Sequence, residues 1–443
     1  MSSPRCIDAL VAEIGSTTTS VTAFDGLEGA APVVVGQGVA ATTVSEGDVG
    51  IGLEAARARL EAEAGPLEPA VMLATSSAAG GLRMTVHGLT RKMTAMAAHE
   101  AALGAGAVVR YQTAGKLSSH DIAKIDAVSP NLVLLAGGVE DGDTETVLFN
   151  ARQLAGLSAR PMIVYAGNSA VADEVRALLG AAGFAVRVTR NVYPAVDELD
   201  ILPARRAIHD AFEEHITRAP GMERIGEFVT GRILPTPGAV LLAAELLAEE
   251  VGDLVVVDVG GATTDVHSIT DGSPEFASMM TEPQPHAKRT VEGDLGTFVS
   301  AEHTAALIPE PDRPTPLPPA VPTTPAEIAA AWALARVATV TAMSRHAGRL
   351  THLFTPTGRK TVVHGRDLTA CRTVIGTGGA LVRLPGGAAT LTASLNGSAE
   401  QLLPPLDARV ALDSDYIFAC CGALSAHFPP PAVVALMRAS AGI

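Results

Sequence analysis

The clearest pattern in the chain is a run of four apolar residues, Leu254 to Val257, which predicts a strand buried on both faces. A carboxylate, Asp258, follows the run, and two glycines then predict a tight turn. After the turn come two threonines and a second carboxylate, Asp265. A buried strand that ends in a turn accounts for the apolar residues and the glycines. It does not account for the paired threonines or the two carboxylates.

A stretch near the N-terminus, Ala9 to Phe24, repeats this pattern. Superposing Gly15 on Gly260 also aligns Glu13 with Asp258, Ser16 with Gly261, Thr18 with Thr263 and Thr19 with Thr264. A second pair of segments, 131–139 and 373–381, aligns at nearly the same offset and places Gly137 on Gly378. Two landmarks in one order predict that the chain consists of two related halves.

The first half alternates strand and helix patterns. Strands are predicted at 9–14, 21–24, 32–39, 70–75, 131–136 and 161–165, and helices at 52–63, 94–109, 169–183 and 203–217. Such alternation predicts a largely parallel central sheet. Residues 36–41 match a dinucleotide-binding GxGxxA pattern, but no helix pattern continues at 42–50, which disfavours that interpretation. Residues 76–82 predict a turn of small residues.

Two helices in the middle of the chain have clear start signals. Thr236 before Pro237 predicts the N-cap of a helix that continues through 239–251, and Thr324 with Glu327 predicts a capping box for a helix at 326–346. The proline-rich segment 309–325 predicts an exposed loop. The predicted domains are 1–250, with the first glycine–hydroxyl stretch, and 251–443, with the second.

Length and charge narrow the possible classes of protein. A chain of 443 residues predicts two domains of about 200 residues each. We find no uncharged, proline-free window of about 18 residues and no signal-peptide pattern, and so expect a cytoplasmic protein without a membrane partner. A net charge of −15 without a Lys/Arg run disfavours nucleic-acid binding. The four cysteines have no metal-ligand spacing and are expected to be buried thiols.

The glycine–hydroxyl stretch has the chemistry of a phosphate-binding turn. Glycines let the backbone approach a phosphate closely, and their N–H groups can donate to its oxygens together with the hydroxyls of Thr263 and Thr264. Carboxylate oxygens suit Mg²⁺, which keeps several of its waters, so Asp258 is the expected metal-holding residue.

The order of these motifs resembles the actin, sugar kinase and chaperone ATPase superfamily. Its phosphate 1, phosphate 2 and adenosine motifs correspond to Glu13–Thr18, Asp258–Asp265 and Gly376–Gly379, and its two connectors to Pro235–Gly238 and Cys421–Leu424. The resemblance implies an α/β fold of two duplicated ribonuclease H-like, actin-like ATPase lobes with a nucleotide cleft between them. It also implies ATP and Mg²⁺ as cofactors.

A closer resemblance covers most of the chain. Its segments are SSAAGGLRM (76–84), AALGAGA (101–107), LLAGGVEDGD (134–143), PTPGAV (235–240), DVGGATTDVHS (258–268), RTVEGDLG (289–296) and TVIGTGG (373–379). They resemble the glutamate mutase accessory family called GlmL or MutL, which is distinct from the mismatch-repair protein of that name. The resemblance implies an ATP/ADP switch that reactivates an adenosylcobalamin-dependent mutase by exchanging damaged cobalamin.

The resemblance also assigns site residues. The two expected phosphate clamps are Gly15, Ser16, Thr17 and Thr18, and opposite them Gly260, Gly261, Ala262, Thr263 and Thr264. Asp258 and Glu13 are expected to flank Mg²⁺ through water, and the adenosine is expected on Gly376, Thr377, Gly378 and Gly379. Glu292 is predicted to open a helix and to reach the ribose or phosphates; an ordinary capped helix is the alternative. The first connector has no acid before Glu245, which predicts slow hydrolysis.

Two other functions remain open. A small-molecule kinase on this fold would use a base near the γ-phosphate, either Asp265 or an acid of the 140–145 loop. A subunit of an ATP-dependent hydrolase or carboxylase is the third possibility. The sequence leaves open whether the protein forms a homodimer and which surface contacts the mutase.

Overall fold

Two five-stranded β-sheets of this protein repeat one strand order. They belong to a computed structural model that describes residues 3–29, 31–78, 82–217, 219–355 and 358–443. With elements numbered in chain order, the N-terminal sheet contains β1 (Arg5–Ile14), β2 (Thr18–Asp25), β3 (Val33–Ala41), β4 (Leu67–Ser76) and β10 (Ile233–Pro235). The second sheet contains β11 (Leu254–Val259), β12 (Thr264–Ile269), β13 (Ala287–Glu292), β16 (Thr373–Thr377) and β17 (Arg409–Leu412). Strands β14 (Arg349–Thr355) and β15 (Gly358–His364) pair with each other in a separate antiparallel sheet.

In each of these sheets the first three strands form an antiparallel meander, and the last two lie parallel to the first strand. The strand orders are β3-β2-β1-β4-β10 and β13-β12-β11-β16-β17. This is the ribonuclease H-like arrangement, present twice, and it confirms the predicted duplicated α/β fold.

The predicted equivalence of segments 131–139 and 373–381 is wrong. Residues 131–139 contain β7 (Leu132–Leu135), which lies in a third sheet with β5 (Arg83–Gly88), β6 (Val108–Ala114), β8 (Met162–Tyr165) and β9 (Val186–Val188). The counterpart of β16 is β4, which pairs in parallel with β1 as β16 does with β11. Gly137 is therefore not equivalent to Gly378. A parallel strand that ends in two glycines is a general feature of α/β sheets and does not identify a repeat.

The chain divides into two compact units, which differ from the predicted lobes. Unit 1 contains residues 1–76 and 224–443, and unit 2 contains residues 77–223. The predicted boundary at residue 250 falls between the two sheets of unit 1, and the assignment of lobes 1–250 and 251–443 stays a prediction. Of the predicted turn at 76–82, residues 79–81 lie outside the described part of the chain.

The helices of unit 1 pack on both of its sheets. They are α1 (Val49–Ala64), α7 (Ile225–Phe228), α8 (Thr236–Val251), α9 (Pro274–Ala277), α10 (Ala301–Ala306), α11 (Pro325–His346), α12 (Gly379–Val382), α13 (Gly387–Ser394), α14 (Phe418–Leu424) and α15 (Pro430–Ala441). One core cluster joins α8, α14 and α15 to residues of both sheets, such as Val11 and Val256. The two connector helices therefore lie in the apolar layer that the repeated sheets share.

The predicted helix starts are partly confirmed. Thr324 and Glu327 form the complete capping box of α11. Helix α8 begins one residue earlier than predicted, because Pro235 rather than Thr236 occupies the N-cap position. The proline-rich segment is mostly exposed and contains a short 3₁₀ turn at Glu310–Asp312.

The glycines of the GxGxxA pattern have a packing role. Residues 36–41 lie in β3, an antiparallel strand that α1 covers. A Cβ on Gly38 would lie 2.6 Å from the amide nitrogen of Leu60 and still closer to the carbonyl of Ala56. These glycines therefore allow a helix to approach the strand, and the dinucleotide interpretation is excluded.

Unit 2 is an all-parallel sheet with order β6-β5-β7-β8-β9, as the alternating pattern predicted. Its helices are α2 (Thr94–Gly104), α3 (Ser119–Val128), α4 (Glu145–Leu154), α5 (Ala172–Ala181) and α6 (Leu202–Ile216). The prediction of a helix through Val109 is wrong. Gly106 adopts φ +85°, which ends the helical path, and Val108 already belongs to β6.

The structure also bears on the predicted state of the cysteines and on possible membrane-spanning helices. Cys371, Cys420 and Cys421 are buried free thiols as predicted, whereas Cys6 is exposed. Among helices in the described ranges, α11 alone is long and apolar enough to cross a membrane by length and composition, a test that core helices of soluble proteins also pass. Part of its surface packs in a core cluster of unit 1 through Ala335, Ala338 and Ala342.

Candidate functional site

The two predicted phosphate turns close with the same hydrogen bond. The amide of Gly15 donates to the carbonyl of Thr18 at 2.9 Å, and the amide of Gly260 donates to the carbonyl of Thr263 at 2.9 Å. A Cβ on Gly15 would lie 2.8 Å from that carbonyl oxygen, so the tight turn requires glycine there. The repeat predicted from sequence therefore holds at atomic detail.

The strand register extends the equivalence to the carboxylates. Glu13 faces Ser20 across the first hairpin, and Asp258 faces Asp265 across the second. The two hairpins therefore present one carboxylate each at the same position. Only the second has an acid at the directly facing position, because Ser20 stands opposite Glu13.

Glu13 and Asp258 line one narrow cavity in unit 1. Thr377, at the end of β16, and Tyr416 line the same cavity, with Val240 among its apolar residues. The structure thus brings together the predicted metal-holding pair and one residue of the predicted adenosine motif.

The cavity brings two carboxyl groups together. Burial raises the pKa of Asp258 well above its usual value, and the neighbouring carboxylates of Asp265 and Glu13 raise it further. Burial also raises the pKa of Glu13 to about 7, although a hydrogen bond from Tyr416 opposes the shift. Two carboxylates that resist ionisation in one cavity favour a bound cation, which would offset their repulsion.

Asp265 is engaged in a buried ion pair. Its Oδ1 accepts from Nε of Arg289 at 2.7 Å and lies 2.5 Å from Nη2, and its Oδ2 accepts from the Thr263 hydroxyl at 3.1 Å. Asp265 and Arg289 are both nearly inaccessible to solvent. This geometry suits a residue that holds the second hairpin in place. Because both carboxylate oxygens of Asp265 already accept hydrogen bonds, the residue is poorly placed to act as a catalytic base.

The remaining residues of the second hairpin are tied to the following loop. The hydroxyl of Thr264 is buried and donates to the carbonyl of Leu295, and the carbonyls of Gly261 and Ala262 accept from the Phe298 amide and the Ser300 hydroxyl. The hydroxyl of Thr264 therefore serves the fold here. Its predicted donation to phosphate would require that bond to break.

The first hairpin is less enclosed at its tip. Ser16 is exposed, and Thr17 and Thr18 are half-buried, so their side chains are accessible from solvent. Thr42, on the loop after β3, donates its hydroxyl to the carbonyl of Gly15 at 2.9 Å and fixes the base of the turn.

The predicted adenosine segment divides into two parts. Gly376 faces the core, where a Cβ would lie 2.7 Å from Leu391, so packing explains this glycine. Gly378 adopts φ +86°, and a Cβ there would lie 2.6 Å from the Val259 amide and closer to the Asp258 carboxylate. At Gly379 a Cβ would meet no atom of the described structure within 4 Å, which leaves room for a ligand.

The helix predicted to open at Glu292 is not present. Glu292 is the last residue of β13, and a turn follows it. Its carboxylate accepts from Arg345 at 2.6 Å, and Asp294 accepts from the same guanidinium at 2.7 and 2.9 Å. Contact of Glu292 with ribose or phosphate stays a prediction.

Sequence reasoning missed a buried carboxylate, Asp413. It accepts from the amides of Ile417 and Phe418 and from the hydroxyls of Thr377 and Ser440, at 2.7 to 3.0 Å. The available signal was its position between the end of β17 and a short helix, where an acid commonly caps the helix. Asp413 connects the predicted adenosine segment to the second connector.

The site holds too few protein ligands for a metal ion bound by protein alone. Within the part of the chain that the structure describes, no group of three His, Cys, Asp or Glu side chains is arranged to hold one. Mg²⁺ commonly binds through one or two carboxylates, water and substrate phosphates. Glu13 and Asp258 fit that mode.

Comparison with known proteins gives both family and distant structural matches. The family model described as "MutL protein" matches residues 9–440. Protein MutL of Clostridium tetanomorphum is 37% identical, over 96% of this chain and 97% of its own.

The structural matches are weak. A nucleotide-free acetone carboxylase overlaps 94% of this chain and 70% of its own at TM-score 0.41 and 14% identity. A nucleotide-free diol dehydratase-reactivating factor overlaps 98% and 99% at TM-score 0.34 and 12% identity. The family match, by contrast, spans nearly the whole chain, and this protein therefore belongs to the MutL family.

Proposed function

We propose that this protein is a slowly hydrolysing ATP switch that reactivates an adenosylcobalamin-dependent mutase in the cytoplasm. The observation that carries the proposal is the convergence of Glu13 and Asp258, from two equivalent hairpins, on one cavity beside Thr377. Membership of the MutL family supports a mutase as the partner. The sequence motifs resemble the glutamate mutase accessory proteins that carry this family name.

Mg²⁺ bound with ATP would neutralise the charge of the phosphates. Glu13 and Asp258 would hold the ion through water, and the hairpin tips at Ser16 and Gly261 would border the phosphates. The residues fit the ion because both side chains present carboxyl oxygens to one cavity, where burial raises their pKa values and a bound cation would favour the ionised forms.

A switch requires that the partner bind the ATP and ADP states with different affinity. The two hairpins belong to separate sheets, and each would contact the phosphates from its own side. Loss of the γ-phosphate would remove phosphate contacts that the two hairpins share, and so would alter their separation. Such a change could open a bound mutase and release damaged cobalamin.

Slow hydrolysis follows from the first connector. Helix α8 carries no acid before Glu245, so its first turns supply no carboxylate to activate water. We expect Asp258→Ala to lower ATP turnover about a hundredfold, because the metal loses a holding group. Glu245→Ala is the matched control on α8 and should keep its turnover. Equal turnover in wild type and Asp258→Ala would remove the metal assignment.

Reactivation itself is tested with a mutase partner. An oxygen-inactivated adenosylcobalamin-dependent mutase is mixed with this protein, ATP, Mg²⁺ and fresh coenzyme, and mutase turnover is followed. The proposal expects recovery with ATP and none with Asp258→Ala. Failure of wild-type protein to restore turnover would count against reactivation.

The kinase alternative loses its best candidate base. Both oxygens of Asp265 are engaged by Arg289 and Thr263, and both oxygens of Glu140 in the acidic loop accept from Ser169 or Asn191. A kinase would also consume ATP in step with a metabolite, whereas the proposed switch shows only slow basal hydrolysis.

A further inference from the structure

Tyr416 contacts the predicted metal site directly. Its hydroxyl donates to Oε1 of Glu13 at 2.8 Å. Glu13 lies on β1 of the N-terminal sheet, whereas Tyr416 lies between β17 and α14, at the carboxyl end of the second sheet. This single hydrogen bond therefore joins the two repeated halves of unit 1 inside the cavity.

The backbone of Tyr416 is held in an uncommon conformation. Its φ is +54°, a left-handed conformation that bulky residues rarely adopt. The amide of Tyr416 donates to the carbonyl of Asp413 at 2.9 Å, and the next two amides donate to the Asp413 carboxylate. These bonds fix the turn around Tyr416. Local strain of this kind is typical of functional positions.

The ring of Tyr416 is fixed from a second side. The guanidinium of Arg383, just after α12, lies 5.3 Å from the ring centroid. Arg383 follows the predicted adenosine segment in the chain, so the ring lies beside the element expected to bind adenosine. The hydroxyl, the ring and the backbone of Tyr416 each contact a different part of the site.

We propose that Tyr416 is a positioning residue that holds Glu13 in its nucleotide-free orientation and must release it when a magnesium nucleotide binds. The inference rests on the proposed nucleotide binding. An oxygen of Glu13 that accepts from a phenol is not free to accept from a metal-bound water in the same direction. Breaking the Tyr416 bond is therefore part of the free-energy cost of loading the site.

The length of the Glu13 side chain matters for this contact. Aspartate at position 13 would withdraw the carboxylate by about 1.5 Å, one carbon–carbon bond, and would not reach a hydroxyl now 2.8 Å away. Tyr416→Phe and Glu13→Asp therefore remove the same hydrogen bond from its two ends, and their effects on metal-dependent binding should not add.

The test uses the full-length protein and ADP as the probe. Isothermal titration calorimetry gives the ADP affinity with Mg²⁺ and with EDTA. We expect Tyr416→Phe to tighten binding of ADP with Mg²⁺ about fivefold to tenfold and to leave binding in EDTA unchanged. Tyr165→Phe, which removes a buried hydroxyl bond in unit 2, is the matched control and should change neither value.

A double-mutant cycle separates positioning from general stability. If Tyr416 positions Glu13, the variant with both substitutions binds magnesium ADP no tighter than Glu13→Asp alone. An unchanged magnesium dependence in Tyr416→Phe, or additive effects of the two substitutions, would overturn the inference while leaving nucleotide binding intact. Wild-type protein that binds no ADP in either condition would instead overturn the proposed function, and the inference with it.

Discussion

At the scale of single residues, the acidic groups of the site differ in how they are compensated. Asp413 accepts hydrogen bonds from four donor groups, and Asp265 has a buried guanidinium partner. Glu13 and Asp258 share a cavity in which burial raises both pKa values and neighbouring carboxylates raise them further. The first pair serves to hold the site together, whereas the second pair is the one that a cation would stabilise.

Asp413→Ala should destabilise unit 1 strongly. The substitution leaves buried amides and hydroxyls without their acceptor, at a cost of about 3 to 5 kcal/mol. Trp332, the only tryptophan of the chain, lies in α11 and reports unit 1 unfolding in urea by its fluorescence. Asp415→Ala, at an exposed side chain nearby, is the control and should shift the midpoint little. Equal midpoints for both variants would contradict the structural role of Asp413.

A buried histidine in unit 2 predicts sensitivity to acid. His87 bonds Thr113 at 2.8 Å and Thr85 at 3.0 Å, and burial lowers its pKa to about 3. The unfolded chain takes up this proton near pH 6.5 and the folded chain does not. Stability is therefore lost as pH falls from about 6.5 towards 3, at about 1.4 kcal/mol per pH unit.

Hydrogen exchange of β5 and β7 peptides between pH 6.5 and 5, corrected for intrinsic exchange rates, measures this effect before most carboxylates titrate. His87→Gln should remove that dependence. A variant that keeps the wild-type slope would show that another group is responsible.

At the scale of elements, the two connector helices meet at one very close contact. A Cβ on Gly422 of α14 would lie 2.5 Å from the carbonyl carbon of Ala239 in α8. Backbone atoms cannot rotate away as a side chain can, so only glycine permits this approach. The contact fixes how the helices of the two halves pack in their common core cluster.

Gly422→Ala should therefore lower the thermal unfolding temperature of unit 1, with a cost of about 3 kcal/mol from overpacking. Gly226→Ala in α7 is the matched control, because a Cβ there would meet no described atom within 4 Å. Circular dichroism and Trp332 fluorescence give both unfolding temperatures. A smaller loss at Gly422 than at Gly226 would mean that the helices can separate without cost.

Sequence patterns predicted those elements that depend on residues close together in the chain. The strand β11 and the turn after it, the capping box of α11 and the duplicated turn at Gly15 were predicted from spacing alone. The false repeat at Gly137 arose because strand–glycine–glycine recurs in any parallel sheet. The contact between Glu13 and Tyr416 was unpredictable, because 403 positions separate them and no pattern joins them. Asp413 was missed for the same reason, since its role depends on Thr377 and Ser440.

At the scale of the whole molecule, every residue predicted to contact nucleotide or metal lies in unit 1, and unit 2 enters the chain between β4 and β10. The proposed nucleotide site therefore combines segments from both sides of the insertion.

Replacing residues 77–223 with a flexible Gly/Ser linker of about ten residues should leave a folded unit 1 that still binds magnesium ADP. Calorimetry measures the binding, and cooperative unfolding followed by Trp332 shows that the unit is folded. The matched control is the same deletion with Asp258→Ala, which should lose binding. A folded deletion protein that binds no ADP would show that unit 2 contributes to the site.

The late position of β10 in the chain affects how the N-terminal sheet folds while the protein is being synthesised. Strand β4 gains its outer neighbour through Ile233 to Pro235, after all of unit 2 has been translated. Unit 2 has its own parallel sheet and core, so it can fold during that interval. Meanwhile the nascent N-terminal sheet exposes the hydrogen-bonding edge of β4, and incorrect pairing by another strand is a hazard until β10 emerges.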